Sequence, residues 1–308
     1  MFVEKPRIVI SKCLEFDSCR YDGRTIQNEY IHKLKNFIEF IPVCPEVEIG
    51  MGTPRDTIKL IKTNKKSLLF QPKTGKNFKK EMDDFSKKFL NKTIQIDGFI
   101  LKSKSPSCGV KNTKIYSNIL NEDKYKNGNG VFAENILNKF SKYPIRNENE
   151  LDDSSLRKHF YTSIFTIAEF RTINNINKLY EFHRKHKYLF MSYNQLLMKE
   201  MGDIAANRNN KNIARVLKNY KKSLITIFSE KPNRKSNINT YMHIMGYFKN
   251  LLEAEEKECF LKLLKEYKAK KVPLLSINNI VTSWIIKFDN TYLKGQSLFC
   301  PFPNELIT

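Results

Sequence analysis

The apolar positions of this chain fall into two regimes. Up to about residue 143, short runs rich in Ile, Val, Leu or Phe alternate with segments of helical spacing. The runs predict strands at 7–11, 39–44 and 96–103, and the spacing predicts helices at 27–37, 77–91 and 131–140. "SLLF" at 67–70 is a candidate further strand, and the Gly/Asn-rich "NGNG" at 127–130 reads as a loop entering the last helix. Strands alternating with helices point to a parallel, Rossmann-like α/β sheet.

Past "YPIRNENELDDSSL", polar and marked by proline, the period becomes helical throughout. Leu179, Phe182, His183, His186, Leu189 and Phe190 form one such set; Leu224 with Phe228 form another; Met242, Met245, Phe248 and Leu252 a third; Phe260, Leu263, Leu264 and Tyr267 a fourth. Pro232 and Pro273 punctuate them as helix boundaries do. The expected organisation is an α/β domain over 1–145, a linker over 146–157 and an all-α domain over 158–308, with "CPFP" at 300–303 as an irregular tail. At 308 residues the chain is long enough for both cores.

Charge adds a partner to this picture. Lys and Arg total 54 against 32 Asp and Glu, a formal net charge of +22. Such an excess favours a polyanion, because neutralised phosphates release counterions; a lysine-rich compositional habit is the alternative. No segment approaches the roughly 18 consecutive apolar residues of a membrane span, and the first residues lack the pattern of a secretory leader. The cytoplasm is therefore the expected location and no membrane partner is expected. Cys13, Cys19, Cys44, Cys108, Cys259 and Cys300 are then expected reduced, with no disulfide partner.

Three of these cysteines follow predicted strands. "RIVISKC" leads to Cys13, "FIEFIPVC" to Cys44, and "ILKSKSPSCG" to Cys108. In an open parallel sheet, ligands bind outside the carboxyl ends of the strands. Three thiolates gathered on one rim suit a soft metal or an iron–sulfur cluster. None of the spacings is a CxxC pair, so from pattern alone each cysteine reads more readily as a small buried hydrophobe. Cys259 and Cys300 fit apolar packing better than ligation.

The sequences around these positions, "SKCLEFDSCRYDG", "PVCPE" and "KSKSPSCG", resemble the thiouracil desulfidase family over about residues 5–145. That resemblance implies a 4Fe-4S cluster held by Cys13, Cys44 and Cys108, with Cys19 as the rival ligand. It also implies a catalytic carboxylate at Glu46 and a catalytic serine at Ser103, with Ser105 and Ser107 as turn-forming competitors. With three protein ligands, one iron stays open to the thiocarbonyl sulfur. Glu46 then positions or deprotonates water, Ser103 donates to the substrate, and hydrosulfide leaves without net electron transfer. Arg20, Tyr21, Arg55 and Ser105 are candidate substrate contacts, although a surface salt bridge accounts for either arginine as well.

"YEFHRKHKYLFMSYN", "HIMGYFKNLLEAEEKE" and "KVPLLSINNI…YLKGQSLFCPFPNEL" resemble the helical domain appended to this catalytic unit in tRNA 4-thiouridine desulfidases, over about residues 158–306. Thiolated tRNA is the partner implied. Arg184, Lys185 and Lys187 are the candidate RNA contacts, while His183 with His186 lacks the companions of a metal site. His243 and Tyr247 read as a packed helix face. Two other readings are kept open: the same chemistry on free thiouracil or a thiolated nucleotide, and a nucleic-acid-binding or redox-sensing module whose cluster is not catalytic.

Overall fold

The computed structural model describes residues 4–62, 67–93, 95–118 and 124–307. The chain divides into two compact units, Met1–Arg171 with Leu306–Thr308, and Thr172–Glu305. In the first unit the order is β1 (Arg7–Ser11), α1 (Glu29–Leu34), β2 (Glu39–Val43), α2 (Pro45–Glu48), β3 (Lys59–Lys62), β4 (Ser67–Gln71) and β5 (Lys76–Asn77). There follow α3 (Lys79–Lys92), β6 (Gly98–Leu101), β7 (Thr113–Tyr116), β8 (Tyr125–Gly128), α4 (Val131–Lys139), β9 (Ile145–Asn147), a 3-10 turn at Glu148–Leu151 and α5 (Ser154–Phe170).

Four strands form an all-parallel sheet in the order β2-β1-β6-β9. Ile8, Val9 and Ile10 of β1 are completely buried, as a continuous apolar run in the centre of a parallel sheet must be. Gly98 opens β6 where a Cβ would lie 2.9 Å from the Pro144 carbonyl and 3.0 Å from Ile164 of α5, so only glycine lets β6, the chain before β9 and α5 approach so closely. A second sheet, β5-β4-β3-β7-β8, is built mainly from antiparallel hairpins, with β3 and β7 parallel. Val9, Leu60, Leu69, Met82, Phe99, Phe132 and Ile136 belong to one core joining both sheets with α3 and α4. Truncating Phe99 to alanine would cost about 3–5 kcal/mol at such a site.

The expected parallel sheet is present, with three departures around it. The second sheet is largely antiparallel, and "NGNG" begins inside β8 rather than in a loop. The segment expected as a linker is instead structural. Ile145–Asn147 pairs with β6, and Asn147 and Glu150 form a reciprocal capping box on the turn that follows. Residues Phe160–Ala168 of α5 are all buried, and Arg171 closes the unit through ion pairs to Asp97 at 3.0 Å and Glu4 at 2.6 Å. The break therefore falls after Arg171 rather than within 146–157.

The second unit contains α6 (Ile176–Tyr193), α7 (Gln195–Ala206), α8 (Ile213–Ile227), α9 (Arg234–Met245), α10 (Ala254–Lys268), α11 (Leu274–Lys287) and α12 (Thr291–Lys294). Asn175, Asn194, Asn212 and Asn233 each accept a backbone N–H at a helix start, so the asparagine richness of the chain is used in part as capping. Pro232 and Pro273 do stand at helix starts. Of the third apolar set Phe248 and Leu252 are buried as expected, but within α9 Tyr241 and Ile244 are buried in place of Met242 and Met245, and Met242, His243 and Tyr247 are exposed. Tyr241, with its hydroxyl bonded to Asn278, fills the core that the methionine spacing suggested for Met242.

Candidate active site

Because β2, β1, β6 and β9 are adjacent and parallel, their carboxyl ends open on one edge, and each delivers functional groups there. β1 leads to Cys13 and Cys19, β2 to Cys44 and Glu46, β6 to Ser103 and Cys108, and β9 to Glu148. A cavity of about 260 Å³ lies at this edge, lined by all four cysteines together with Arg20, Tyr21, Glu46, Arg55, Lys102, Ser103 and Ser105. Cys13, Cys19, Cys44 and Cys108 are free thiols, none more than 9% exposed.

Two loops owe their shape to local bonding. Cys44 is the N-cap of α2, whose Pro45 stands where a helix start has no donor to lose. The serine loop is clamped to the start of α4: Val131 and Ala133 donate to the carbonyls of Pro106 and Ser107 at 3.0 and 3.1 Å. Gly130 allows this, since a Cβ there would lie 2.6 Å from the Ser107 carbonyl. Ser105 Oγ accepts from the N–H groups of Ser107 and Cys108 at 3.2 and 3.1 Å, fixing the turn that presents Cys108.

Glu46 is held on both oxygens. Its Oε1 accepts from Ser107 Oγ at 2.8 Å, and its Oε2 accepts from Arg55 Nε at 2.8 Å and pairs with Arg55 Nη2 at 2.6 Å. The Arg55 side chain is 5% exposed, and its Nη1 donates to the carbonyls of Cys19 and Gly52 at 3.0 and 2.9 Å. Arg55 Nη2 also lies 3.9 Å from Cys44 Sγ. Arg55, a candidate substrate contact from the sequence, lines the cavity, and its guanidinium donors bond Glu46 and the loop carbonyls. Arg20 is paired with Asp22 at 2.8 Å and lies 4.9 Å from the centre of the Tyr21 ring, at the cavity wall.

Ser103 is the centre of a second buried network. Its Oγ donates to Glu148 Oε1 at 2.5 Å and accepts from Lys102 Nζ at 3.0 Å and Asn149 Nδ2 at 3.1 Å. Its backbone N–H donates to Glu148 Oε2 at 2.8 Å, and Lys102 Nζ pairs with Glu148 Oε1 at 2.6 Å. Glu148 is 4% exposed, so removing either charge would strand the other in the interior. Sequence reasoning missed Glu148 because its segment read as a linker; the Asn-x-x-Glu spacing of Asn147 and Glu150 was the available signal of an ordered turn.

The thiols titrate apart. Burial pushes Cys13 up to about 12, with the neighbouring Cys44 sulfur adding to it. Burial also drives Cys108 well above the ordinary thiol range, against a hydrogen bond with Ser11. Cys44 falls to about 7 because it receives a hydrogen bond from the Cys19 thiol, aided by the Val47 N–H and by Arg55; Cys19 rises correspondingly. Among the described residues no three His, Cys, Asp or Glu converge on a single-ion site. Thiols distributed around a cavity instead suit a group larger than one ion, in which different metal atoms each take one sulfur.

Cys259 and Cys300, expected to be packed, are exposed, and neither lines this cavity. In the helical unit Arg184 is ion-paired with Glu181 at 2.8 Å, and Lys187 lies 5.7 Å from the Tyr188 ring centre. His183 Nδ1 is hydrogen-bonded with the Tyr220 hydroxyl at 3.0 Å and His186 Nδ1 with Ser297 Oγ at 2.7 Å, which places both histidines in packing.

A thiol-lined cavity at the carboxyl edge of a parallel sheet, with Glu46 in its wall and Glu148 bonded to the lining Ser103, defines a soft-ligand site combined with acid–base groups. Residues 8–148 match the family model described as 2-thiouracil desulfurase, and the chain belongs to that family through this first unit. Residues 187–303 match a family described as a protein of unknown function, DUF1722. The uncharacterized protein YbbK of Bacillus subtilis (strain 168) is 32% identical over 155 residues, 47% of this chain and 98% of that protein. The uncharacterized protein YbgA of Escherichia coli (strain K12) is 22% identical over 165 residues, 52% of this chain and 95% of that protein. Among solved structures, the [4Fe-4S]-dependent thiouracil desulfidase TudS is 26% identical over 48% of this chain and 95% of that chain, with a TM-score of 0.39. None of the helices among the described residues is long and apolar enough to cross a membrane.

Proposed function

We propose that this chain is an iron–sulfur-dependent desulfidase that converts 4-thiouridine in tRNA to uridine by hydrolysis, in the reducing setting of the cytoplasm. The observation that carries the reading is the joint lining of one cavity by four buried free thiols, Glu46 and Ser103. Cys13, Cys44 and Cys108 would hold a 4Fe-4S cluster, and Cys19, hydrogen-bonded to Cys44, would stay a supporting thiol. When bound, such a cluster supplies a soft Lewis acid for the thiocarbonyl sulfur.

The remaining chemistry belongs to the chain's own groups. Glu46, oriented by Arg55 and Ser107, keeps a lone pair on Oε1 for a water and takes the proton that water must lose to attack the ring carbon. Ser103 points its proton at Glu148; turning it into the cavity provides a donor for the oxyanion or ring nitrogen, while Lys102 remains on the carboxylate. Glu148 and Lys102 are positioning residues in this account. The balance is one water in, carbonyl and hydrosulfide out, with no change in the net electron count. Tyr21 and Arg20, at the cavity wall, would contact the nucleotide.

The excess of 54 basic over 32 acidic residues supports an RNA substrate. The family description favours a second reading, in which free thiouracil is the substrate of the same site. Anaerobic reconstitution followed by incubation with 4-thiouridine-containing tRNA and, separately, with free thiouracil separates the two. Loss of the thiouridine absorbance from tRNA is the expected result; turnover of free thiouracil alone assigns the site to the small substrate.

A further inference from the structure

We infer that the exposed face of α8 is the surface on which the helical unit receives the RNA phosphate backbone. The inference rests on the RNA reading above and gives it a location. Between Asp203 and Glu230 the sequence contains no acidic residue, yet it contains Lys211, Arg215, Lys218 and Lys222. Arg215, Lys218 and Lys222 lie on α8 at spacings of three and four residues, within about 60° around the helix axis and about one turn, 5.4 Å, apart along it, and Lys211 directly precedes the N-cap Asn212. All four are exposed, and no ion pair involves any of them among the described residues.

Several basic residues on other helices are, by contrast, paired with acids: Lys79 with Asp83 on α3, Arg184 with Glu181 on α6, and Lys287 of α11 with Glu256 of α10. A like-charged row without acids repels itself by a few tenths of a kcal/mol per pair, a cost removed when phosphates intervene. The opposite face is committed to the core. Val216, Tyr220, Leu224 and Ile227 are buried, and the Tyr220 hydroxyl bonds His183, so α8 cannot turn an apolar face toward a lipid surface. Asn207, in the left-handed region at φ 40°, exchanges hydrogen bonds with the backbone of Lys211 at 2.9 and 3.0 Å and fixes the turn that leads Lys211 into the helix start. That start also carries the positive end of the helix dipole. The occupant is therefore an extended polyanion rather than an acidic protein patch or a membrane.

The test uses the full chain with Arg215, Lys218 and Lys222 changed together to Gln, and a second variant with the same positions changed to Glu. Binding of bulk tRNA is measured across a salt series, and turnover of free thiouracil reports that the first unit is intact. The Gln variant should bind on the order of tenfold more weakly at low salt, with the slope of log K against log salt reduced by about 2 to 3, because three counterion-releasing contacts are gone. The Glu variant should be weaker still. A natural chain that binds tRNA with a strong salt slope retained in the Gln variant overturns the α8 surface while the RNA reading stands. A natural chain without salt-dependent tRNA binding overturns both.

Discussion

Arg55 and Lys102 in the sheet unit carry the same charge as Arg215, Lys218 and Lys222 in the helical unit, and are placed for the opposite use. The first two are largely withdrawn from water and locked at 2.6 Å onto Glu46 and Glu148; the other three stand in solvent with no acid on their helix. A buried, paired cation fixes the geometry of its neighbour, since losing either partner strands a charge at a cost of about 3–5 kcal/mol. An exposed, unpaired cation contributes little to folding and remains available for an outside anion. Net charge alone does not separate these cases. The pairing around each cation does.

The largest effect that would break this division is loss of the cofactor. Cys13→Ala, Cys44→Ala and Cys108→Ala should each abolish the visible absorbance of the reconstituted protein, and Cys19→Ala should retain it. An absorbance that survives Cys13→Ala and disappears with Cys19→Ala would exchange the roles of the two residues.

Next in size is the acid–base pair. Glu46→Gln and Ser103→Ala should keep the cluster absorbance and lower kcat by roughly 10² to 10⁴, the usual range for a positioned proton-transfer group. Near-natural turnover in both would remove the proposed base and donor.

Glu148→Gln sharpens the comparison, because its effect should pass through Ser103. A fall in kcat of roughly tenfold or more is expected, with the Glu148→Gln/Ser103→Ala pair no slower than Ser103→Ala alone, as for residues acting as a unit. Additive losses would show that Glu148 acts on its own.

Elements are legible in the sequence where their signal is local. β1, β2 and β6 were legible because each is a short apolar run closed by a loop, and their parallel order sends Cys13, Cys44 and Cys108 to one edge. β9 was not, being three residues of "IRN" whose strand character comes from pairing with β6 rather than from its own side chains. Glu148 was lost with it. The partners of Arg55 were equally hidden, since a guanidinium nine residues from a carboxylate in sequence gives no sign that both are buried together. In the helical unit the periodicity locates α6 and α10, whereas in α9 the methionine spacing points to Met242 and Met245 where Tyr241 and Ile244 fill the core. On α8 the apolar spacing of Leu224 and Phe228 is legible, whereas the use of the basic stripe depends on exposure and pairing that sequence does not display.

The smallest expected effect concerns stability of the helical unit. Burial, with Lys187 and His186 nearby, lowers His183 to about 4 from its ordinary 6.5. Between those values the unfolded chain binds a proton that the folded unit refuses, so stability present above pH 6.5 is lost as pH falls toward 4. Melting temperature should drop across this window in the natural chain, and less in His183→Gln. An equal drop in both would place the acid sensitivity elsewhere.

The most direct measurement is single-turnover reaction of the cluster-loaded protein with 4-thiouridine-containing tRNA under anaerobic conditions, following the thiouridine absorbance and released hydrosulfide together. The account predicts that the two change one for one, without added reductant or oxidant. A loaded protein that leaves the absorbance unchanged and releases no hydrosulfide from either thiolated tRNA or free thiouracil would contradict it.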